Sequence, residues 1–153
     1  MRAFQIPDFD TPPSLVEVPS IPPAAGEVTI AVDACGLNFA DLLMSRGKYQ
    51  ERPEPPVTLG MEMAGTVLRL GAGVEGLVVG DKIAAFNGQG GLADEANVPA
   101  DRCVILPGGM PASHAAAFQV AYGTSHVALE HKARLQPGER LVVTGAAGGV
   151  GLT

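Results

Sequence analysis

The sequence predicts a mainly β domain, a barrel or a sandwich, followed by a helix and by one strand running into a glycine-rich loop. Three observations predict it. Short apolar runs with period-2 alternation recur between Val28 and Leu106. Twenty glycines and thirteen prolines punctuate the chain, standing as turn residues between those runs. From Pro111 onward the composition changes to an alanine-rich stretch with no proline until Pro137. A length of 153 residues, 46% apolar and 17% charged, suits one soluble domain with a fragment of another.

The elements follow in order. Pro7, Pro12, Pro13, Pro19, Pro22 and Pro23 exclude a helix from residues 1–27 and leave extended segments and turns. Val28–Cys35 alternates branched apolar with small or polar residues, as a half-buried strand does, and Gly36 ends it. Asn38–Gly47 carries helix formers and a terminal glycine suited to a C′ position, which predicts a short helix. Lys48–Pro56, with three prolines, is an irregular loop. Leu59–Leu70 and Gly80–Phe86 are two strands joined through a glycine-rich connection, with Gly80-Asp81 as turn chemistry. Gly91–Pro99 and Cys103–Leu106 add two more short strands. Ala112–Leu135 predicts one helix or two, bent near Gly123, ending before Pro137-Gly138. Glu139–Thr144 is a buried strand, and Gly145–Gly151 is the loop after it. There is no internal repeat or low-complexity segment. The domain boundary falls between Leu106 and Ala121, dividing residues 1–120 from residues 121–153.

Ten basic against sixteen acidic residues give a net charge of −6 and a pI near 4.9. No Lys/Arg run occurs, which disfavours nucleic acid and anionic membranes as partners. Cys35 and Cys103 stand alone, with no second cysteine or histidine at ligand spacing, so neither a disulfide framework nor a structural zinc site is expected. The N-terminus lacks a signal peptide's apolar region, and no stretch approaches the roughly 18 apolar residues of a spanning helix. A reduced, cytoplasmic protein is the expectation. Nothing resembles a Ser-His-Asp arrangement, so hydrolase chemistry has no support.

Ala146, Gly148 and Gly151 hold the three positions of a dinucleotide fingerprint, here A-x-G-x-x-G. By itself this pattern is more often plain turn chemistry; the apolar strand before it strengthens the cofactor interpretation. A helix after Gly151 and a ribose-reading residue about 20 positions on would complete it, and both would lie past Thr153. A parallel βαβ unit needs about 30 residues. The expectation is therefore an enzyme cut short, with this chain alone inactive.

Several segments in order carry a family resemblance: Cys35-Gly-Leu-Asn-Phe-Ala-Asp41, Gly60-Met-Glu-Met-Ala-Gly65, Gly71-Ala-Gly-Val, Val79-Gly-Asp-Lys-Ile83, Gly123-Thr124 and Gly138–Gly151. Together they span nearly the whole chain. The sequence resembles the medium-chain dehydrogenase/reductase superfamily, and within it the zinc-independent quinone oxidoreductases similar to zeta-crystallin. The resemblance implies a GroES-like, partly open β-barrel, then the first strand and glycine loop of a truncated Rossmann domain. It implies NADPH as cofactor, a small-molecule quinone or enone as acceptor, and a homodimer for the full-length form, with the choice of NADPH over NADH decided past Thr153. Zinc-dependent relatives have Cys where Asn38 stands and His where Met61 stands, so no metal site is expected. Hydride would pass directly to a conjugated acceptor.

The resemblance also implies site residues, each with a plainer structural role beside it. Asn38 would hydrogen-bond near the nicotinamide, or cap a helix, the two being compatible. Asp41 would be a polar cleft residue, or a first-turn acid on the helix dipole. Tyr49 would line the cleft, or anchor its loop; Leu43 replaces a second cleft tyrosine common in the family. Thr124 would face the nicotinamide, or bond back to its own helix. Ala146, Gly148, Gly149, Val150 and Gly151 would form the pyrophosphate loop, with N–H groups from Gly148, Gly149 and Val150. Glu62 is expected to be a paired strand-end carboxylate rather than a catalytic acid. His114, His126 and His131 are assigned to surface or capping roles, and both cysteines to small buried apolar positions. The alternative acceptor is an enone or enoyl thioester. The alternative of another class is a non-catalytic GroES-like interaction module that binds a partner at its open barrel edge.

Overall fold

The computed structural model describes residues Met1–Thr153. Eight strands form two antiparallel sheets. The smaller has the order β2 (Ser14–Glu17), β1 (Arg2–Ile6), β4 (Val57–Thr58), and the larger β7 (Glu95–Pro99), β3 (Glu27–Gly36), β5 (Glu62–Leu70), β6 (Lys82–Phe86), β8 (Cys103–Ile105). A single bridge, Ala3 to Ala93, ties the two together. The result is the partly open, mainly β architecture that the resemblance implies, with no closed barrel.

Alternation in the larger sheet separates two faces. Val28 and Ile30 of β3, Met63 and Val67 of β5, Ile83 and Ala85 of β6, and Ala96 and Val98 of β7 form one buried cluster. Register slips between Thr29 and Ile30 and between Val32 and Ala34 mark irregularities of the β3–β5 pairing, which bend and twist the sheet as bulges do. Gly65 makes this pairing possible, since a Cβ there would lie within van der Waals overlap of the Ala31 carbonyl. A second cluster, Ile6, Met44, Val57, Leu59 and Met61, joins the smaller sheet to α1 (Phe39–Met44).

The other face of the larger sheet is covered by α2 (Ala112–Ala116). Ala115 and Ala116 pack on Ala64 and Ala84, small residues on both sides allowing close approach. The predicted long helix breaks here: Ala117 leaves helical geometry at φ −99° and ψ 5°, and α3 (Phe118–His126) starts in a new direction. The break lies at Ala117 and not at Gly123, because tight alanine packing fixes the end of α2. A π-helical stretch, Val127–Ala133, continues α3 and ends at Arg134, whose φ is +54°.

The expected strand at Glu139–Thr144 is not a strand. Arg140–Thr144 pairs with nothing, and Val142 is 85% exposed. All strand pairs in the chain are antiparallel, so this segment has no parallel neighbour to accept its ladder. The glycine loop after it forms turns, with Gly148 N–H donating to Gly145 O and Leu152 N–H to Gly148 O.

Candidate active site

The strand register aligns three residues at one end of the larger sheet: Gly36 faces Glu62, and Glu62 faces Phe86. They share the face that carries Ala64 and Ala84, toward α2 and α3. Glu62 is 2% exposed, and its two oxygens have different partners. Oε1 accepts from Asn38 Nδ2 at 2.9 Å, and Oε2 accepts from the backbone N–H of Val120 at 2.9 Å. Gly36 leaves the room, for a Cβ there would sit 2.6 Å from Glu62 Oε1 and 2.5 Å from Ala116 O.

Asn38 is the N-cap of α1, with extended backbone, and Asp41 is its N3 residue. Asp41 is buried and bonds on both oxygens, Oδ2 accepting from Asn38 N at 2.8 Å and Oδ1 from Gly60 N at 3.1 Å. It therefore pins the helix start to the Gly60 turn. Gly60 has φ +97°, and a Cβ there would lie 2.7 Å from Cys35 Sγ. Burial, with Asp41 and Glu62 nearby, pushes the Cys35 thiol up to about 12; it remains a thiol at neutral pH.

Beside this network opens a cleft of about 660 Å3 between the barrel and α3. Ala40, Tyr49, Met61 and Phe86 line the barrel side; Gln119, Val120, Gly123 and Thr124 line the other, continued by Val127, Ala128 and Lys132 of the π-helical stretch. Tyr49 and Thr124 thus meet across one cavity, and neither hydroxyl is taken up by a hydrogen bond within the chain. Thr124 is exposed and does not bond back to its helix. Neither Asn38 nor Asp41 lines the cleft; Asn38 is joined through Glu62 to Val120, which does.

Ala146, Gly148, Gly149, Val150 and Gly151 are placed elsewhere. Ser125 Oγ donates to Val150 O at 3.1 Å, and Thr153 Oγ1 to Ala121 O at 3.2 Å, so the glycine loop leans on the residues of α3 that interleave with the cleft-lining ones. Gly148 spends its N–H inside the loop. His114, His126 and His131 are exposed, the last two in edge contact at 5.3 Å between ring centroids. Met61, 2% exposed, packs among Ile6, Met44, Val57 and Leu59, and no three His, Cys, Asp or Glu side chains converge as a metal site would need. No helix is long and apolar enough to cross a membrane.

Sequence reasoning did not single out Phe86, Gln119, Val120, Val127, Ala128 or Lys132. Helical spacing from Thr124 held a signal: Val120, Val127 and Ala128 stand four before, three after and four after it. For Lys132 and Phe86 the signal is only their place on elements already identified.

A family profile, the alcohol dehydrogenase GroES-like domain, matches residues 24–108. The quinone oxidoreductase-like protein 2 homolog of Nematostella vectensis is 44% identical over 127 residues, which are 82% of this chain and 35% of that protein. Two solved structures cover 99% of the chain. The human synaptic vesicle membrane protein VAT-1 homolog-like protein has a TM-score of 0.93 at 34% identity, over 50% of its own length. The quinone oxidoreductase of Thermus thermophilus, solved also in complex with NADPH, has a TM-score of 0.87 at 38% identity, over 48% of its length. The chain spans half or less of the length of these relatives. It belongs to the alcohol dehydrogenase GroES-like domain family, in the medium-chain dehydrogenase/reductase superfamily and similar to its quinone oxidoreductases.

Proposed function

We propose that this chain supplies the acceptor side, and the nicotinamide end of the cofactor side, of an NADPH-dependent quinone reductase that works without zinc. The observation that carries it is one mostly apolar cleft lined by both Tyr49 and Thr124, whose hydroxyls bond to nothing else in the chain. Its volume suits a planar ring stacked on another. The residues fit the nicotinamide end of the cofactor: Gly123 leaves the α3 wall low, and Thr124 offers a hydroxyl beside it. When bound, NADPH supplies hydride.

The chain's own side chains would do the rest. Met61, Phe86, Val120 and Val127 would offer apolar surface to the stacked rings, Phe86 and Val127 at the exposed rim. Tyr49 would donate a hydrogen bond to the oxygen on which negative charge develops, and Lys132, the one cation lining the cleft, would favour that charge. Residues 121–153 would belong to the cofactor domain, with Gly149, Val150 and Gly151 meeting the pyrophosphate. Absence of zinc is supported by the donor set, since Met61 is engaged in the core and the Asn38 amide donates to Glu62.

The test is a titration of the isotopically labelled chain with duroquinone, whose fully substituted ring resists thiol addition, and in parallel with NADPH and NADH. Saturable shifts of Tyr49 and Thr124 resonances with duroquinone are expected. Shifts confined to residues outside the cleft, or none, would overturn the assignment. An enone probe shifting Tyr49 and Thr124 at lower concentration than duroquinone would favour the alternative acceptor class.

A further inference from the structure

Glu62 is the most deeply buried acid of the chain, and none of the three ion pairs includes it. Its carboxylate is satisfied by two neutral donors, one from each side of the cleft: the side-chain amide of Asn38, which heads α1 and does not itself line the cavity, and the backbone N–H of Val120, a lining residue in the first turn of α3. Burying a carboxylate without a cation is expensive. An apolar residue would fill a purely structural position at lower cost, but it could accept from neither donor. Gly36 opposite it admits no side chain, so the carboxylate has a slot that holds it in one place.

We propose that Glu62 is a positioning residue that couples the two walls of the cleft. It holds the Asn38 amide on the barrel side and the start of α3 on the other, and so sets the separation of Tyr49 from Thr124. This rests on the cleft being the acceptor site. The coupling also has signatures of its own in the protein without ligand: slow hydrogen exchange at Val120 N–H and a displaced, slowly exchanging side-chain amide signal of Asn38.

Three variants of the full chain test it. Glu62→Leu keeps comparable bulk and gives neither the Asn38 amide nor the Val120 N–H an acceptor. Exchange at Val120 is expected to accelerate by about tenfold, the Asn38 amide signal to move toward the free-amide position, and duroquinone to bind about tenfold more weakly. Asn38→Asp with Glu62→Gln reverses donor and acceptor: the Gln nitrogen can donate to the Asp while its oxygen still accepts from Val120. This double variant is expected to recover exchange protection and affinity to within about threefold of the parent. Val28→Ala, in the core cluster on the other face of the sheet, should lower the unfolding midpoint and leave duroquinone affinity unchanged, which separates positioning from general loosening. Unchanged Val120 exchange and Asn38 signal in Glu62→Leu would overturn the proposal, as would a double variant that recovers nothing, whether by failing to fold or by folding without protection. If duroquinone fails to bind even the parent chain, the acceptor-site assignment falls, while the exchange and amide signals still decide whether Glu62 couples the walls.

Discussion

Replacing Gly36 by alanine puts one methyl group into the most crowded point beside the site. Backbone conformation is no obstacle, since Gly36 is not among the positive-φ glycines. Space is. The new Cβ would lie 2.5 Å from Ala116 O, 2.6 Å from Glu62 Oε1 and 2.8 Å from Glu62 Cδ, against ordinary contacts of 3.4 Å or more. Two relaxations are available. In one, α2 lifts, which separates Ala115 and Ala116 from Ala64 and Ala84; overpacking of this kind costs about 1–3 kcal/mol. In the other, Glu62 swings away and loses Asn38 or Val120, at about 1.5–3 kcal/mol for a hydrogen bond to a charged group. The alanine also restricts the unfolded chain, which offsets about 0.4–1 kcal/mol. The net by the cheaper route, from the middle of both ranges, is a destabilisation of about 1.3 kcal/mol. Urea unfolding followed by circular dichroism is the assay. With a urea slope of about 2 kcal/mol per molar, the midpoint should fall by about 0.6 M. A midpoint within about 0.2 M of the parent, at unchanged slope, would refute the close approach of β3, α2 and Glu62.

The thiols of Cys35 and Cys103, pushed up to about 12 and about 11 mainly by burial, should alkylate with iodoacetamide at pH 8.5 far more slowly than the urea-unfolded chain, by roughly a hundredfold or more from thiolate fraction alone; equal rates would contradict their burial. The same shifts fix an alkaline trend: both groups keep their protons longer folded than unfolded, so stability should fall as pH rises from about 9 through 11 and 12. On the acid side the lowered Asp8, Asp94 and Glu95 act oppositely, through bonds from Thr11, Arg2, and Ser20 with Arg69 respectively; their contribution stands at neutral pH and is lost as pH falls below about 4, with added salt weakening that of the Arg2–Asp94 pair. Tyr49→Phe, which removes a hydroxyl that bonds to nothing in the chain, should leave the unfolding midpoint unchanged within about 0.5 kcal/mol and weaken duroquinone binding; a stability loss with unchanged binding would place the hydroxyl in structure instead. Gly60→Ala, forced into φ +97° against Leu92 N at 2.6 Å, should lower thermal stability measurably, by several degrees on the scale of about 2–4 °C per kcal/mol.

Period-2 alternation made β3, β5, β6 and β7 legible, because each has one buried apolar face, and the glycine after α1 is in place, Gly47 having φ +62°. Two kinds of feature were not legible. The first is pairing over long distances: that β1 and β2 form a sheet with β4, tied to the larger one at Ala93, depends on contacts that no local pattern encodes. The second is the dependence of a strand on its neighbours. Glu139–Thr144 has an apolar core of Leu141, Val142 and Val143, as a buried parallel strand would, yet those side chains stand exposed because no strand lies beside them. At the site, the three-residue spacing of Asn38 and Asp41 announced the helix cap. Position 61 likewise announced an apolar side chain where a zinc ligand would stand. The link from Glu62 to Val120 crosses 58 residues and shows only in three dimensions.

That link also explains why the cleft depends on strand register as much as on side-chain identity. Along β5 the residues alternate, with Glu62 and Ala64 toward the helices and Met63 toward the core cluster. A slip of one residue would exchange the two sets, placing the carboxylate among Ile30, Ile83 and Val98 and sending Met63 to the cleft. The apolar cluster forbids this, because a carboxylate there would have no donor. Gly65 forbids it again: it sits where β3 and β5 approach too closely for any side chain. The core and one glycine therefore determine which face Glu62 occupies. Once it is there, Gly36 opposite and Phe86 beside it in the same row fix where its oxygens lie. The cleft side of the larger sheet is in this sense a consequence of its core, and substitutions that shift β5 should disturb Asn38 and α3 before they unfold the sheet.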